Sequence, residues 1–274
     1  LAQQHFKLAK DLFEKKINIK ILTSKTDYKD RKDIIKDLSF NKIDIIIGTH
    51  SLFQEKIKFK NLGLIVIDEQ HKFGVKQRKK LSDKGGKNCD VLVMSATPIP
   101  RTMIMTIYGD MDTSIIKNKP KDRKEIKTFS KVDTKINEVI SFVKKQIYDE
   151  NQIFWVCPLI EESKKVDHQS AILRYESLKK KFKDKVGLLH GSLDQNEKSK
   201  ILQKFLNKKI NILVSTTVIE VGIDFPNANV IIIENADKFG LSQLHQLRGR
   251  VGRGYKQSYC ILLFKSHLSE NARK

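Results

Sequence analysis

The sequence predicts an α/β fold of two tandem lobes, each built around a parallel sheet. Short apolar runs alternate with segments of helical periodicity along the chain, which is the pattern of βαβ units. Small or polar residues follow most of these runs, as expected at the carboxyl edge of a parallel sheet. The alternation stops at residues 117–125, KNKPKDRKE, and then restarts. We therefore expect a first lobe at 1–117, a linker at 118–129 and a second lobe at 130–274.

The first lobe is predicted to contain helices at 1–16 and 28–38 and strands at 17–22, 43–47, 63–67 and 91–94. Helix 1–16 carries Leu1, His5, Leu8, Leu12 and Phe13 on one face, which predicts that His5 is packed rather than catalytic. Strand 63–67 has no polar residue, and we expect it to be buried on both faces in the centre of the sheet.

The second lobe repeats the pattern. We predict helices near 133–148, 169–182, 194–206 and 241–248, and strands at 152–157, 186–190, 210–214, 229–233 and 258–264. Trp155 lies inside strand 152–157, so a core role is favoured over stacking on a nucleic-acid base.

Composition limits the class of protein. A net charge of +21 favours a nucleic-acid partner, although AT-rich codons could also produce the lysine excess. No apolar run approaches the length of about 20 residues that spans a bilayer. Cysteines occur only at 89, 157 and 260, without CxxC pairing, so we expect buried thiols in a reducing cytosol and no disulfide or cysteine metal site.

Two acidic residues follow strand 63–67, in GLIVIDEQHKFG. In phosphoryl transfer one carboxylate holds Mg²⁺, usually through water, and a neighbour activates the attacking water. Asp68 would be the magnesium residue and Glu69 the base, while Gln70 and His71 would sense the γ-phosphate. The alternative is an acidic helix cap after a strand.

Arginines cluster in a chain that otherwise uses lysine. Arg248, Arg250 and Arg253 are three of only nine arginines, and they lie in QLHQLRGRVGRG, residues 243–254. The spacing of Gln246, Arg250 and Arg253, with two intervening glycines, suits forked guanidiniums that approach a transferring phosphate. The alternative is a basic helix end that binds phosphate loosely.

These two stretches resemble motifs II and VI of superfamily 2 helicases, and further matches follow in family order. LAQQHF (1–6), GTHSLFQ (48–54), SATPIPRT (95–102) and TTVIEVGIDFPNA (216–228) resemble motifs Ia, Ib, III and V, and FWVCPLIEES (154–163) and LLHGSL (188–193) complete the set. The resemblance covers nearly the whole chain. It implies two RecA-like lobes that use ATP and Mg²⁺ and bind DNA.

The resemblance also implies roles for single residues. Contacts to the DNA backbone would come from Thr49, His50, Arg101, Thr216 and Thr217. Ser95 and Thr97 would couple the Asp68–His71 segment to DNA. Gly222 and Asp224 would lie on the nucleotide side near Arg250 and Arg253. The threonine pairs could instead cap helices, and Gly222 could simply turn the chain.

The family's phosphate loop, GxxxxGK[ST], occurs nowhere in the sequence. We therefore expect a first lobe that is incomplete at its N-terminus, weakly stable, with exposed apolar surface, in a chain that alone hydrolyses almost no ATP. The complete protein is expected to be a monomeric motor of the bacterial cytoplasm and nucleoid. It would act on stalled forks or Holliday junctions in recombination and repair. A repair-coupled duplex translocase, a non-catalytic nucleic-acid-binding remnant and an unrelated phosphate-binding α/β protein are the alternatives.

Overall fold

The computed structural model describes residues 2–13, 17–69, 83–95, 112–116, 118, 123–158, 164–216 and 225–266. The chain divides into two compact units, Leu1–Ser114 and Ile115–Lys274. The helices whose bounds lie within the described residues are α1 (Ala2–Phe13), α2 (Tyr28–Ser39), α3 (Ile136–Tyr148), α4 (Lys164–Phe182), α5 (Gln195–Leu206) and α6 (Leu241–Arg248). No helix in the described part of the chain is long and apolar enough to cross a bilayer.

The second unit contains a six-stranded parallel sheet. Its strands are β5 (Lys127–Val132), β6 (Gln152–Cys157), β7 (Val186–Leu189), β8 (Ile212–Thr216), β9 (Ala228–Ile233) and β10 (Tyr259–Phe264), in the spatial order β5-β10-β9-β6-β8-β7. All neighbouring pairs are parallel. The predicted α/β fold is confirmed for this unit.

Both faces of this sheet are covered, which explains why its central strands are mostly apolar. Residues of α3 and α4, such as Val143 and Leu178, pack on the face that carries Trp155. Residues of α5 and α6, such as Phe205 and Leu247, pack on the opposite face. Every residue of β6, β8 and β9 is buried, and the predicted core position of Trp155 is confirmed by its exposure of 0%.

The first unit contains two smaller parallel sheets. β1 (Ile19–Leu22) pairs with β2 (Ile45–Gly48), and β3 (Leu64–Ile67) pairs with β4 (Asp90–Val93). Ile34 and Leu38 of α2 pack on the first of these sheets. The Lys84 ammonium group donates to the carbonyls of three residues in the loop that follows β2, namely Leu52, Gln54 and Ile57.

Two predictions for the first unit are wrong. Leu64 and Val66 are 57% and 52% exposed, so β3 is buried on one face only. Among the described residues β3 has a single neighbouring strand, and nothing covers its second face. The apolar face of helix 1–16 is likewise not packed, because α1 has no buried residue and the His5 side chain is 47% exposed. Leu1 lies outside the described residues.

Element bounds agree best where the apolar pattern is strongest. Strand 152–157 and helix 241–248 have the predicted bounds, and most other ends differ by one to three residues. β5 was not predicted, because its sequence KTFSKV has few apolar residues. The strand begins inside the range 118–129 that was predicted to be a linker. An edge strand paired only with β10 needs few apolar residues. Cys157 and Cys260 are buried as expected, whereas Cys89 is only half-buried.

Candidate active site

Asp68 and Ser95 lie at the same edge of the first unit. The two strands that precede them, β3 and β4, pair in register with Ile67 opposite Val93, and the Met94 N–H donates to the Ile67 carbonyl at 2.8 Å. The structure therefore brings the predicted magnesium residue and one predicted coupling residue to neighbouring strand ends, and Ser95 is exposed there. Gln70, His71, Thr97 and Arg101 lie outside the described residues.

The Asp68 carboxylate is held by its own chain and by α1. Its Oδ1 accepts a hydrogen bond of 2.8 Å from the Glu69 N–H, and its Oδ2 lies 3.6 Å from His5 Nε2. Glu69 has a left-handed φ of +50°, a conformation that costs roughly 1–2 kcal/mol for a residue with a Cβ and is typical of functional sites. Nothing in the periodicity of helix 1–16 indicated that His5 approaches Asp68.

Asp68 fits Mg²⁺ as a single carboxylate ligand, because it offers hard oxygen donors and its side chain is 36% exposed. The described residues contain no group of three or more His, Cys, Asp or Glu side chains that could hold a metal ion. A magnesium ion bound by Asp68 would therefore take most of its other ligands from water and phosphate, as this ion commonly does.

Thr49 and His50 are exposed at the carboxyl end of β2. The preceding residue, Gly48, has no room for a side chain. A Cβ on it would lie 2.6 Å from the Leu22 carbonyl oxygen and 2.7 Å from Leu52 Cγ. The short 3₁₀ turn that begins at His50 can therefore pack directly against β1. This places both predicted DNA-backbone residues on the surface.

Arg250 and Arg253 lie just after α6 in a segment that is anchored to the core. Leu247 and Val251 are 8% and 2% exposed, while the two arginines and Gln246 are half-buried. Gly249 caps α6, and Gly252 has a φ of +78° that a residue with a side chain rarely adopts. The local fold thus alternates buried apolar anchors with arginines.

The end of β8 is less accessible than the sequence suggested. Thr216 is 6% exposed and Ser215 is 0% exposed, and the Ser215 hydroxyl has no hydrogen-bond partner among the described residues. Thr217, Gly222 and Asp224 lie outside the described residues, so the remaining predicted contacts of this stretch have no described geometry.

A second charged cluster was not predicted from the sequence. Glu234 directly follows β9 and accepts hydrogen bonds from the Trp155 indole N–H and from the Arg174 guanidinium. Arg174 and Glu234 lie in the wall of a cavity of about 330 Å³. The wall also includes Asp133, Asn235 and Leu263. Glu234 could have been noticed by the rule that selected Asp68, because it also directly follows an apolar run, residues 230–233 of β9.

The buried cysteines are poor nucleophiles. Burial raises the pKa of the Cys260 thiol to about 11, an effect that Arg248 partly offsets. Burial also raises the pKa of the Cys157 thiol well above its ordinary value, with a further contribution from the Glu234 carboxylate. Since the thiolate is the reactive form, neither residue is a candidate for covalent chemistry.

Comparison with known proteins adds two family matches and several close relatives. Residues 1–106 match the DEAD/DEAH box helicase family, and residues 134–255 match the helicase conserved C-terminal domain. The chain is 48% identical over 266 residues to the ATP-dependent DNA helicase RecG of Bacillus subtilis, and 50% identical to that of Thermotoga maritima. Each comparison covers 96% of this chain but only 39% and 34% of the relatives, so the chain spans well under half of their length.

Solved structures show the same fold. A structure described as RecG bound to a three-way DNA junction covers 100% of this chain and 35% of its own, with 45% identity and a TM-score of 0.76. The Saccharomyces cerevisiae protein Dbp5, bound to RNA and ADP BeF3, covers 99% of this chain and 70% of its own, with 17% identity and a TM-score of 0.66. The resemblance to superfamily 2 helicases is confirmed.

Proposed function

We propose that this chain, which is similar to the RecG-type superfamily 2 helicases, forms the motor core of an ATP-dependent DNA helicase that acts on branched DNA. The observation that carries this proposal is the similarity to RecG, which runs through both units at 48% identity over 96% of the chain. One solved RecG relative is bound to a three-way DNA junction, which supports forks and Holliday junctions as substrates. The motor would work as a monomer at the nucleoid, in recombination and repair.

Each unit would supply part of the chemistry of ATP hydrolysis. In the first unit, Asp68 would hold the magnesium ion that neutralises phosphate charge, and Glu69 would orient and deprotonate the attacking water. Gln70 and His71 would respond to the γ-phosphate. The left-handed backbone of Glu69 and the hydrogen bond from its N–H to Asp68 Oδ1 support this assignment, because the bond orients the Asp68 carboxylate.

In the second unit, Arg250 and Arg253 would stabilise the charge that develops on the transferring γ-phosphoryl group, with Gln246 beside them. Such arginines raise the rate by roughly 10³–10⁵ in related phosphoryl-transfer reactions. Gly222 and Asp224 would contact the nucleotide. Their roles rest on the motif resemblance alone.

DNA would be gripped through its backbone rather than through its bases. Thr49 and His50 are exposed on a rigid strand end, which supports a role in positioning phosphates. Arg101, Thr216 and Thr217 would extend this surface, and Ser95 and Thr97 would link it to the Asp68–His71 segment. The net charge of +21 favours such non-specific contacts.

The proposal is tested with a chimera in which this chain replaces the matched segment of Bacillus subtilis RecG. The chimera should hydrolyse ATP, and forked DNA should stimulate it more than linear duplex. A chimera that folds and binds forked DNA but shows no DNA-stimulated hydrolysis would contradict the proposal. The 274-residue chain alone should hydrolyse almost no ATP, because its sequence has no GxxxxGK[ST] loop.

Within the chimera, Glu69→Gln should abolish hydrolysis while ATP still binds, because the amide keeps the shape of the carboxylate but cannot accept a proton. Glu55→Gln is the matched control, since Glu55 is an exposed glutamate of the same unit. Retained turnover in Glu69→Gln would remove Glu69 from the role of base.

A further inference from the structure

The segment that carries Arg250 and Arg253 contacts the two residues that precede β5. We call residues 249–256 the arginine loop and residues 125–126 the pre-β5 segment. Arg248 and Gln257 flank the arginine loop and donate hydrogen bonds to consecutive carbonyls of the pre-β5 segment. The Arg248 guanidinium donates to Ile126 at 3.2 Å, and the Gln257 amide donates to Glu125 at 2.7 Å.

The middle of the arginine loop touches the same segment. A Cβ on Gly252 would lie 3.0 Å from Ile126 Cγ1 and 3.2 Å from Ile126 Cδ1, so this approach leaves little room for a side chain. Gly252 also has a φ of +78°, which a substituted residue would adopt only with strain. Both the approach and the backbone conformation therefore require glycine at position 252.

The contact is rigid because both partners are fixed to the sheet. The Lys127 N–H donates to the Ser258 carbonyl at 3.0 Å, and Lys127 then pairs with Tyr259 in the first register of β5 and β10. Ile126 packs on the core cluster that contains Leu247 and Val251. The pre-β5 segment cannot move away from the arginine loop without disturbing the edge of the sheet.

The Arg248 side chain is oriented toward the protein backbone. The Arg248 Nε is buried and has no hydrogen-bond partner among the described residues, while its Nη2 donates to the Ile126 carbonyl. A half-buried guanidinium that already donates to a protein carbonyl has fewer donors left for a phosphate. Its position suits a structural bond to the backbone, which is stronger than a neutral hydrogen bond because the donor is charged.

We propose that Arg248 and Gln257 are positioning residues for ATP hydrolysis, which act by tying the arginine loop to the pre-β5 segment. The tie holds Arg250 and Arg253 in one arrangement before the nucleotide binds, so no ordering is required in the transition state. The role in ATP hydrolysis rests on the proposed function. The two hydrogen bonds that form the tie are a feature of the second unit whatever its function is.

The first test measures amide hydrogen exchange in the 274-residue chain. Arg248→Gln and Gln257→Leu should each speed exchange in the arginine loop by about tenfold, the effect of losing one hydrogen bond. Exchange in β10 should stay unchanged. Tyr255→Phe is the matched control, because Tyr255 lies in the same loop and its side chain is 77% exposed. Unchanged exchange in both variants, or an equal rise in the control, would overturn the tie.

The second test measures kinetics in the chimera with Bacillus subtilis RecG. Arg248→Gln should lower kcat by about 10- to 100-fold, while KM for ATP and the Kd for forked DNA change less than about twofold. Arg248→Lys should restore part of kcat, since an ammonium can also donate to the Ile126 carbonyl. A loss of ATP binding with unchanged kcat would instead make Arg248 a phosphate ligand and overturn the positioning role.

The two tests separate this inference from the proposed function. An unsubstituted chimera without ATP hydrolysis would contradict the proposed function, and hydrogen exchange would still decide whether the tie exists. Faster exchange in an active chimera whose kcat is unaffected would show that the tie has no role in positioning the arginines.

Discussion

Replacing Glu234 should destabilise the second unit strongly, because one carboxylate serves two buried donors. Its Oε1 accepts from the Trp155 indole N–H and from Arg174 Nε, and its Oε2 accepts from Arg174 Nη2 at 3.3 Å. Glu234 and Arg174 are 17% and 25% exposed, and Arg174 also lies over the Trp155 ring at 5.5 Å. Glu234→Ala removes the acceptor from both donors.

The expected loss is about 3 kcal/mol. The Trp155 N–H would remain buried without an acceptor, at a cost of about 1–3 kcal/mol. The guanidinium would lose its counter-charge, and partial exposure reduces the cost of about 3–5 kcal/mol for a fully buried pair to about 1–2 kcal/mol. Glu234→Gln keeps an acceptor oxygen and loses only the charge, so about half the effect is expected.

Urea unfolding followed by tryptophan fluorescence measures this loss. Trp155 is the only tryptophan, so the signal reports the second unit alone. With a urea dependence of about 2 kcal/mol per molar, the midpoint should fall by about 1.5 M for Glu234→Ala and by about half that for Glu234→Gln. Glu176→Ala, which removes an exposed acid of α4, is the control. A Glu234→Ala midpoint equal to that of the control would refute the reasoning, and equal losses for Ala and Gln would refute the role of the acceptor.

Three further predictions also concern stability. Burial raises the pKa of the Cys260 thiol from 9.0 to about 11, so this thiol ionises at a lower pH in the unfolded chain than in the folded protein. The free energy of unfolding should therefore fall by about 2–3 kcal/mol as the pH rises from 9 to 11. Urea titrations should show a shallower fall for Cys260→Ala, and parallel curves would contradict the shift. Asp194→Ala should cost about 1 kcal/mol in the same assay, because Asp194 and Glu197 form a capping box at the start of α5. Asp194→Asn should retain most of that stability, and an equal loss would argue against the cap. Val66→Thr should change the unfolding free energy of the first unit by less than about 0.5 kcal/mol and should reduce light scattering, since Val66 is 52% exposed. A loss of about 2 kcal/mol in circular dichroism melts would mean that this face is covered.

Local patterns were sufficient for most of the second unit. Strand 152–157 was recognised because five of its six residues are apolar, as expected of a strand covered on both faces, and all six residues, including Gln152, are buried. The same pattern was misleading for β3, which is equally apolar but exposes Leu64 and Val66. Periodicity reports what a segment could bury, whereas actual burial depends on whether another element lies against it.

The sequence by itself indicated the fold class and the resemblance to superfamily 2 helicases, and it selected the candidate site residues, because these depend on short stretches such as DEQH and RGRVGR. Only the tertiary structure decided which side chains meet. Arg174 lies 60 residues from Glu234, and Arg248 lies 122 residues from Ile126. Both contacts follow from the strand order β5-β10-β9-β6, which brings distant segments together at the edges of one sheet. No local pattern records that order, so the ties that hold the arginine loop could be seen only in the folded chain.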